Sequence, residues 1–501
     1  MHALLISTYE MGRQPFGLAS PAAWLRAAEW TVTCVDVAKE RLRDEVLADA
    51  DLIGFHLPMH TATRLAAPII GKARRLNSSA RICAYGLYAP LNAEWLRSLG
   101  VDEVLGGEFE EELTSVARAC GAGLRVGGAG LRTRGASFRA RDASLRTRGA
   151  GLQPCDSKTL PRLKFLVPDR SGLPPLDRYA TLQLGDGRRK LVGYTEASRG
   201  CRHLCRHCPV VPIYNGQFRV VQLDVVLADI AGQVGAGAEH ITFGDPDFFN
   251  GPTHAMRIVE ALHRGHPSLT YDVTIKIEHL LGHRDLLPRL RETGCVSVTS
   301  AVESINDRVL ERLEKGHTRR DFVDAVALCR EAGVTIVPTF VGFHPWLTLD
   351  GYCDLLDTIE ALDLVEHVAP IQLAIRLLIP EGSRLLELEE IRSLVGAFDP
   401  ATLTYRWTHP DARVEDLHHD VAALVGIRLT ADRRAIFDEI SALAHGACGS
   451  REDSESSSAA ARASGGGAPR AVEKVSVRPR VASRPARDRA TVPYLNEPWY
   501  C

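Results

Sequence analysis

Short apolar segments alternate with helical segments along two stretches of this 501-residue chain, and the alternation restricts the folds that it can adopt. Strands joined through helices form a parallel sheet with helices on both faces. In residues 1–120 the sequence predicts strands at His2–Ser7, Thr31–Asp36, Leu52–His56, Arg81–Tyr85 and Glu103–Leu105, and helices at 21–29, 39–48, 61–76 and 92–99. The fold class is therefore α/β, and the first domain is predicted to be doubly wound, of Rossmann or flavodoxin type.

Residues 155–380 form the second stretch, which opens with a proline-rich connection. Six strands are predicted, at 190–196, 240–244, 270–277, 296–301, 335–340 and 367–376, with helices at 223–234, 253–263, 284–293, 319–332 and 349–362 between them. Successive βα units with right-handed crossovers curve toward a barrel, so we predict a partial (βα)6 TIM-like barrel. The active sites of such folds lie at the carboxyl ends of the strands.

The other segments differ in composition. Residues 121–154 are rich in Gly and Arg and repeat Leu-Arg-Thr-Arg-Gly-Ala at 131–136 and 145–150, which predicts a flexible insertion. Residues 381–447 are predicted to be helical. Residues 448–501 are predicted to be a disordered linker with an aromatic tail that ends at Cys501 and docks elsewhere on the protein.

The charge and hydropathy pattern excludes several classes of protein. A formal net charge of −2 provides no general attraction to nucleic acid or to a membrane surface. No apolar run approaches the ~18 residues of a membrane span, and the first residues are typical of a strand rather than a signal peptide. We therefore expect a cytoplasmic protein. Most of its twelve cysteines are isolated in apolar segments, where buried thiols without disulfides are expected.

One group of cysteines stands apart. Cys201, Cys205 and Cys208 are separated by three and two residues, so one tight loop after a strand can bring their sulfurs to a common centre. Structural zinc prefers four ligands, and His203 or His207 is a possible fourth. Iron–sulfur clusters normally take four thiolates. Three thiolates leave one metal position open, which is typical of a site that binds a substrate or cofactor.

The spacing Cys-x3-Cys-x2-Cys after the first strand of a (βα)6 domain resembles the signature of the radical S-adenosylmethionine (SAM) superfamily, over residues 187–380. The resemblance implies a four-iron, four-sulfur (4Fe–4S) cluster held by Cys201, Cys205 and Cys208. It also implies SAM bound at the open iron, an external electron donor such as flavodoxin or ferredoxin, and hydrogen abstraction from substrate by a 5′-deoxyadenosyl radical.

The same resemblance assigns a set of SAM-binding residues. They are His207, before the third cysteine; Gly244, Asp245, Pro246 and Asp247, after the second strand; Glu303, after the fourth; and Arg376, on the sixth. An ordinary Asp-Pro turn, a helix cap near Ser304 and a structural ion pair of Arg376 are the respective alternatives.

The domain ahead of the barrel resembles that of the cobalamin-dependent branch of the superfamily. Cobalamin domains often carry Asp-x-His-x-x-Gly after the first strand, whereas this chain has no histidine there, in Ser7–Gly17. Cobalamin is therefore left open as a cofactor, without assigned residues.

The tail Glu497-Pro-Trp-Tyr-Cys501 resembles that of the CUAEP/CCAEP-tail radical SAM (seleno)proteins. The resemblance implies a catalytic role for Cys501 and a chain truncated at a selenocysteine codon. A spectator thiol is the alternative.

The sequence thus predicts a radical SAM enzyme that modifies a small molecule or peptide, with cobalamin-assisted transfer of a methyl or other group as an option. An RNA-modifying enzyme similar to the methylthiotransferases is the first alternative, although we expect no nucleic-acid partner. A non-catalytic metal-binding or redox-sensing protein is the second.

Overall fold

The computed structural model describes residues 1–125, 163–184, 187–427, 432–460 and 494–495. Most of the predicted insertion at 121–154 and the end of the tail, including Cys501, lie outside these residues. None of the described helices is both long and apolar enough to cross a lipid bilayer.

The first domain has the predicted strands, residue for residue. They are β1 (His2–Ser7), β2 (Thr31–Asp36), β3 (Leu52–His56), β4 (Arg81–Tyr85) and β5 (Glu103–Leu105), and the helices are α1 (Phe16–Ala27), α2 (Asp44–Ala48), α3 (His60–Leu76), α4 (Ala93–Ser98) and α5 (Phe109–Arg125). All strand pairs are parallel, in the order β2-β1-β3-β4-β5. This is the flavodoxin-like order, whose ligand sites lie where the order reverses, between β1 and β3.

Alternating side chains explain why helices cover both faces of this sheet. Leu4 and Ile6 pack into one hydrophobic core with Phe55, whereas Ala3 and Leu5 pack into another with Tyr85. Successive residues of a strand point to opposite faces, so two apolar faces need two layers of helices. Each fully buried Leu or Ile contributes about 1.5–3 kcal/mol.

The strands of the second sheet are β6 (Thr181–Gln183), β7 (Arg189–Thr195), β10 (His240–Phe243), β11 (Thr270–Thr274), β12 (Cys295–Glu303), β13 (Thr335–Phe340) and β16 (Tyr494–Leu495). Their order is β13-β12-β11-β10-β7-β6-β16. Strands β8 (Ser198–Gly200) and β9 (Phe218–Val220) pair beside this sheet. The helices of this part are α6 (Val211–Tyr214), α7 (Leu223–Gly235), α8 (Pro252–Gly265), α9 (Ile277–Gly282), α10 (Leu287–Glu292), α11 (Asp307–Arg312), α12 (Arg319–Glu331) and α13 (Leu349–Ala361).

The barrel is partial, as predicted, but the sixth parallel strand expected at 367–376 is wrong. The segment instead forms a short helix, α14 (Pro370–Ala374), and contacts the sheet through one bridge between Phe343 and Arg376. Proline at the first helical position favours a helix start because it lacks the N–H that a ladder needs. The Gln372 side chain accepts the Phe340 N–H, which holds α14 across the end of β13.

The carboxy-terminal part is more ordered than expected. It contains α15 (Glu389–Leu394), a small hairpin of β14 (Phe398–Asp399) and β15 (Thr404–Tyr405), α16 (Ala412–Ile427) and α17 (Arg433–Ala460). Disorder from residue 448 is therefore wrong as far as Ala460, because α17, anchored by buried residues such as Phe437 and Ile440, extends to that residue.

Part of the tail docks on the second sheet, as the sequence predicted. Strand β16 pairs antiparallel with β6, and β6 pairs antiparallel with β7, so β16 runs parallel to β7. The Arg433 guanidinium lies 4.7 Å from the centre of the Tyr494 ring, which attaches the strand to α17 as well.

A buried ion-pair network joins the two domains. Arg199, beside the second sheet, forms two hydrogen bonds to Glu110 of α5, at 2.7 and 2.9 Å, and one of 2.6 Å to Glu196. The Glu108 carboxylate lies 3.9 Å from the same guanidinium. These contacts hold the loop after β7 against the first domain.

We expect Arg199→Ala to destabilise the protein by about 3–5 kcal/mol, because it leaves the buried Glu110 carboxylate without a cation. Chemical denaturation followed by circular dichroism measures the effect. The control is Arg320→Ala, which removes an exposed pair with Asp324 and should change stability little. Equal midpoints for both variants would contradict a clamping role for Arg199.

Candidate functional site

The three cysteines lie in a loop, 201–208 (the cluster loop), that follows β7 and β8 at the carboxyl edge of the second sheet. Asp245 fixes the start of this loop: its carboxylate accepts the Ala197 N–H at 2.8 Å and the Ser198 hydroxyl at 2.5 Å. Gly200 has φ +77°, and a Cβ there would lie 2.4 Å from the Gln217 carbonyl oxygen, so this position requires glycine.

Buried cations surround the thiols of the cluster loop. The Lys276 ammonium, which follows β11, lies 3.8 Å from Cys205 Sγ, and Lys315 is also buried. Burial raises the pKa of the Cys208 thiol to about 12. A bound metal deprotonates such thiols, and nearby ammonium groups compensate the resulting thiolate charge. The donor set therefore fits a 4Fe–4S cluster with three protein ligands.

Glu303, at the end of β12, organises the groups beside the cluster loop. Its carboxylate accepts hydrogen bonds from His207 Nε2 at 3.0 Å and Lys315 Nζ at 3.3 Å. Burial alone would raise the pKa of Glu303, but Lys315 and His207 lower it to about 2. The backbone of Glu303 is left-handed, with φ +68°, a strained conformation that is typical of functional sites.

Two buried polar atoms near Glu303 have no hydrogen-bond partner in the described residues, Nδ1 of His207 and Oγ of Ser300. His317 is buried near them, with its ring against the Val302 backbone. Buried polar groups normally have partners, so these atoms fit a polar ligand such as SAM. Lys276, Lys315 and His317 are not predicted from the sequence, although Lys276 comes directly after the end of a parallel strand, a position that marks an active site.

The other residues that the resemblance assigned to SAM have different surroundings. Gly244 packs so tightly that a Cβ would lie 1.8 Å from the Tyr194 hydroxyl oxygen. Both oxygens of Asp245 hold the start of the cluster loop, and Asp247 lies against two histidines. Arg376 forms a bidentate ion pair with Glu415 at 2.8 Å and covers the Trp407 ring, which is the structural alternative considered above.

A cavity of about 270 Å³ lies between the two sheets. Residues that follow the strands of both domains line it; among them are Glu10, His56, Gly86, Gly107, Glu196, Arg199 and Gly244. The carboxyl edges of the sheets therefore face each other across this cavity, and the switch point between β1 and β3 opens into it.

Glu10 and His56 form a buried pair at this switch point. His56 Nδ1 lies 2.7 Å from Glu10 Oε1, and a Cβ on Gly17 would lie within 2.3 Å of three ring atoms of His56. His56 thus lies at the end of β3, whereas the segment after β1 contains no histidine, and the sequence alone predicts only a strand at this position.

The cavity of about 270 Å³ is partly open to solvent, so a ligand larger than the enclosed volume can extend beyond it. Cobalamin is therefore compatible with this site.

Residues 195–359 match the sequence profile of the Radical SAM superfamily. The chain therefore contains a radical SAM domain, and the cluster loop lies inside it.

The two-domain fold is also found in solved radical SAM enzymes. It is similar to OxsB, a cobalamin-dependent SAM radical enzyme solved with aqua-cobalamin and SAM bound, at a TM-score of 0.62 and 14% identity, with 89% of this chain and 71% of OxsB covered. It is also similar to TsrM, a radical SAM methyltransferase from Kitasatospora setae solved with cobalamin and a 4Fe–4S cluster, at a TM-score of 0.51 and 19% identity, with 72% and 70% covered.

Two curated relatives match part of the chain. They are the tRNA-2-methylthio-N(6)-dimethylallyladenosine synthases of Prosthecochloris aestuarii and Chlorobium phaeobacteroides, each 26% identical, over 36% and 41% of this chain. The chain spans 41% and 50% of the length of these relatives.

We expect Glu303→Gln to destabilise the protein at pH 7 by about 3–5 kcal/mol, because Lys315 loses its buried partner. The pKa of Glu303 is lowered in the folded protein, so its contribution is complete above pH ~4.5 and disappears as the pH falls toward 2. Thermal unfolding from pH 7 to pH 3 should show the difference from wild type narrowing below pH ~4.5. A constant difference, or one matched by the exposed control Glu311→Gln, would contradict this electrostatic role.

Proposed function

We propose that the protein is a radical SAM enzyme that modifies a small molecule or peptide bound between its two domains. The observation that carries the proposal is the loop with Cys201, Cys205 and Cys208 at the carboxyl edge of the sheet, beside two buried lysines. When bound, the 4Fe–4S cluster supplies the electron that cleaves SAM. The protein itself binds and orients the cofactor and the substrate, and it excludes water from the site.

The residues around Glu303 suit the methionine end of SAM. Lys276 and Lys315 are buried cations that attract a carboxylate. The unpartnered Nδ1 of His207 and the buried His317 ring offer further polar contacts, and the Glu303 carboxylate orients His207. Gly244 and Pro246 bring backbone close to the same edge, whereas Arg376 is already paired with Glu415 and contributes structure.

The interdomain cavity suits the substrate. Its lining combines carboxylates (Glu10, Glu196), guanidinium groups (Arg13, Arg199) and aromatic rings such as Phe109. Burial raises the pKa of Glu196, which Arg199 partly opposes. A small polar molecule or a peptide side chain matches this mixture better than a bare hydrocarbon.

Anaerobic reconstitution with iron and sulfide, followed by SAM and a strong reductant, tests the proposal. We expect 5′-deoxyadenosine from wild type. The triple variant with Cys201→Ala, Cys205→Ala and Cys208→Ala should give none above background, because the cluster loses its ligands. Cys329→Ala, outside the loop, is the control and should remain active. A stable cluster or bound zinc without SAM cleavage would instead favour the non-catalytic alternative.

Cobalamin-assisted group transfer is a second candidate, favoured by the fold similarity to OxsB and TsrM. Reconstitution with hydroxocobalamin and measurement of retained corrin absorbance test it.

RNA modification is favoured only by the partial match to the tRNA methylthio synthases. Transfer of sulfur and methyl to tRNA in the same assay would support it.

We further propose that Cys501 acts at the active-site edge. The register supports this: Leu495 pairs with Leu182, which pairs with Lys190, and β16 runs in the direction of β7. The carboxyl end of β7 leads into the loop that carries the three cysteines.

A benzophenone maleimide attached to Cys501 tests this placement by photo-crosslinking and mass spectrometry. We expect cross-links to peptides that line the interdomain cavity, and their loss in Cys501→Ser. Cross-links confined to the outer faces of helices would contradict the proposal.

A further inference from the structure

Two histidines and an aspartate converge beside the cluster loop. His203 lies in the loop, Asp247 follows β10, and His279 lies on α9. His279 Nδ1 is 2.7 Å and His203 Nε2 is 3.7 Å from Asp247 Oδ2, and one ligand atom from each residue lies within 4.8 Å of the others. Three different segments of the domain thus contribute one donor atom each.

The three ligand atoms of this group are not oriented to form hydrogen bonds. The Asp247 side chain is fully buried, and its Oδ2, His203 Nε2 and His279 Nδ1 all lack a hydrogen-bond partner in the described residues. Asp247 Oδ1 accepts the Phe249 N–H at 3.2 Å and is satisfied. The 2.7 Å between His279 Nδ1 and Asp247 Oδ2 is short enough for a hydrogen bond, but the two groups are not aligned for one. Leaving such atoms unpaired costs free energy unless something lies between them.

We propose that His203, Asp247 and His279 bind a divalent transition-metal ion such as Zn²⁺ or Fe²⁺. Two imidazoles and one carboxylate are the ligand set of catalytic zinc sites and of non-haem ferrous sites. Both classes leave coordination positions open for water or substrate. The imidazoles of His203 and His279 are partly exposed, so the ion can enter from solvent.

The surroundings of His203 also suit a metal ligand. Its second ring nitrogen, Nδ1, lies 3.6 Å from Glu278 Oε2, on the side away from Asp247. Metal-binding histidines usually direct their other nitrogen toward a carboxylate, which orients the ring. Asp247 directly follows Pro246, which lines the interdomain cavity, so the ion would lie next to the proposed substrate site. Asp247 then serves the metal rather than SAM.

Zinc retention by the reconstituted holoprotein tests the site. After incubation with Zn²⁺ and desalting, we expect about one zinc per chain in addition to four irons, measured by elemental analysis together with sulfide. His279→Ala and Asp247→Asn should bind zinc at least about tenfold more weakly and keep their iron and sulfide. The asparagine retains the acceptor for the Phe249 N–H, which protects the local fold.

His283→Ala is the matched control, since its ring lies 6.0 Å from that of His279 but outside the donor set; it should retain zinc. Cobalt(II) gives a second measurement, with weak visible bands from nitrogen and oxygen ligands and no strong sulfur-to-cobalt absorption. Wild type without retained zinc, equal retention by His279→Ala, or zinc gained only as iron is lost would each overturn the proposal. Each outcome is independent of SAM cleavage, which tests the proposed function separately.

Discussion

The position of the active-site edge depends on one buried guanidinium. Arg199 belongs to the segment that leads into the cluster loop, yet its strongest partner, Glu110, belongs to the other domain. A charge this deeply buried is tolerated only with close, hydrogen-bonded counter-charges. Because two carboxylates approach it from different directions, the loop has one favourable position against the first domain. This constraint also positions the cavity between the sheets, since residues of both domains around Arg199 form its walls.

The sequence predicted the elements whose signal is local. Each strand of the first domain is a short apolar run bounded by helical spacing, and all five were placed correctly. The cluster cysteines can also be predicted from the sequence, because three thiols within eight residues form a motif that is recognisable without the fold. The segment at 367–376 failed for a physical reason: Pro370 begins a helix inside an apolar run that periodicity alone cannot distinguish from a strand.

Most of the remaining site depends on contacts between distant segments. Lys276 follows β11, whereas Lys315 and His317 follow β12 in the next βα unit, and only folding brings these polar residues to one edge. The sequence predicts His56 only as the end of a strand, and its pairing with Glu10 links residues 46 positions apart. Asp247 was assigned to SAM by analogy of position, but the identity of its neighbours, two histidines from other segments, was not available from the local sequence.

The contact between Gly17 and His56 has a consequence for sequence variation among related chains. The imidazole occupies the space that any side chain at position 17 would need. A chain with alanine or a larger residue at this position cannot keep the ring where it meets Glu10. Residues 17 and 56 should therefore change together, and histidine at 56 with any residue other than glycine at 17 should be rare. Such coupling would separate chains that use this imidazole from those in which the first domain has taken another role.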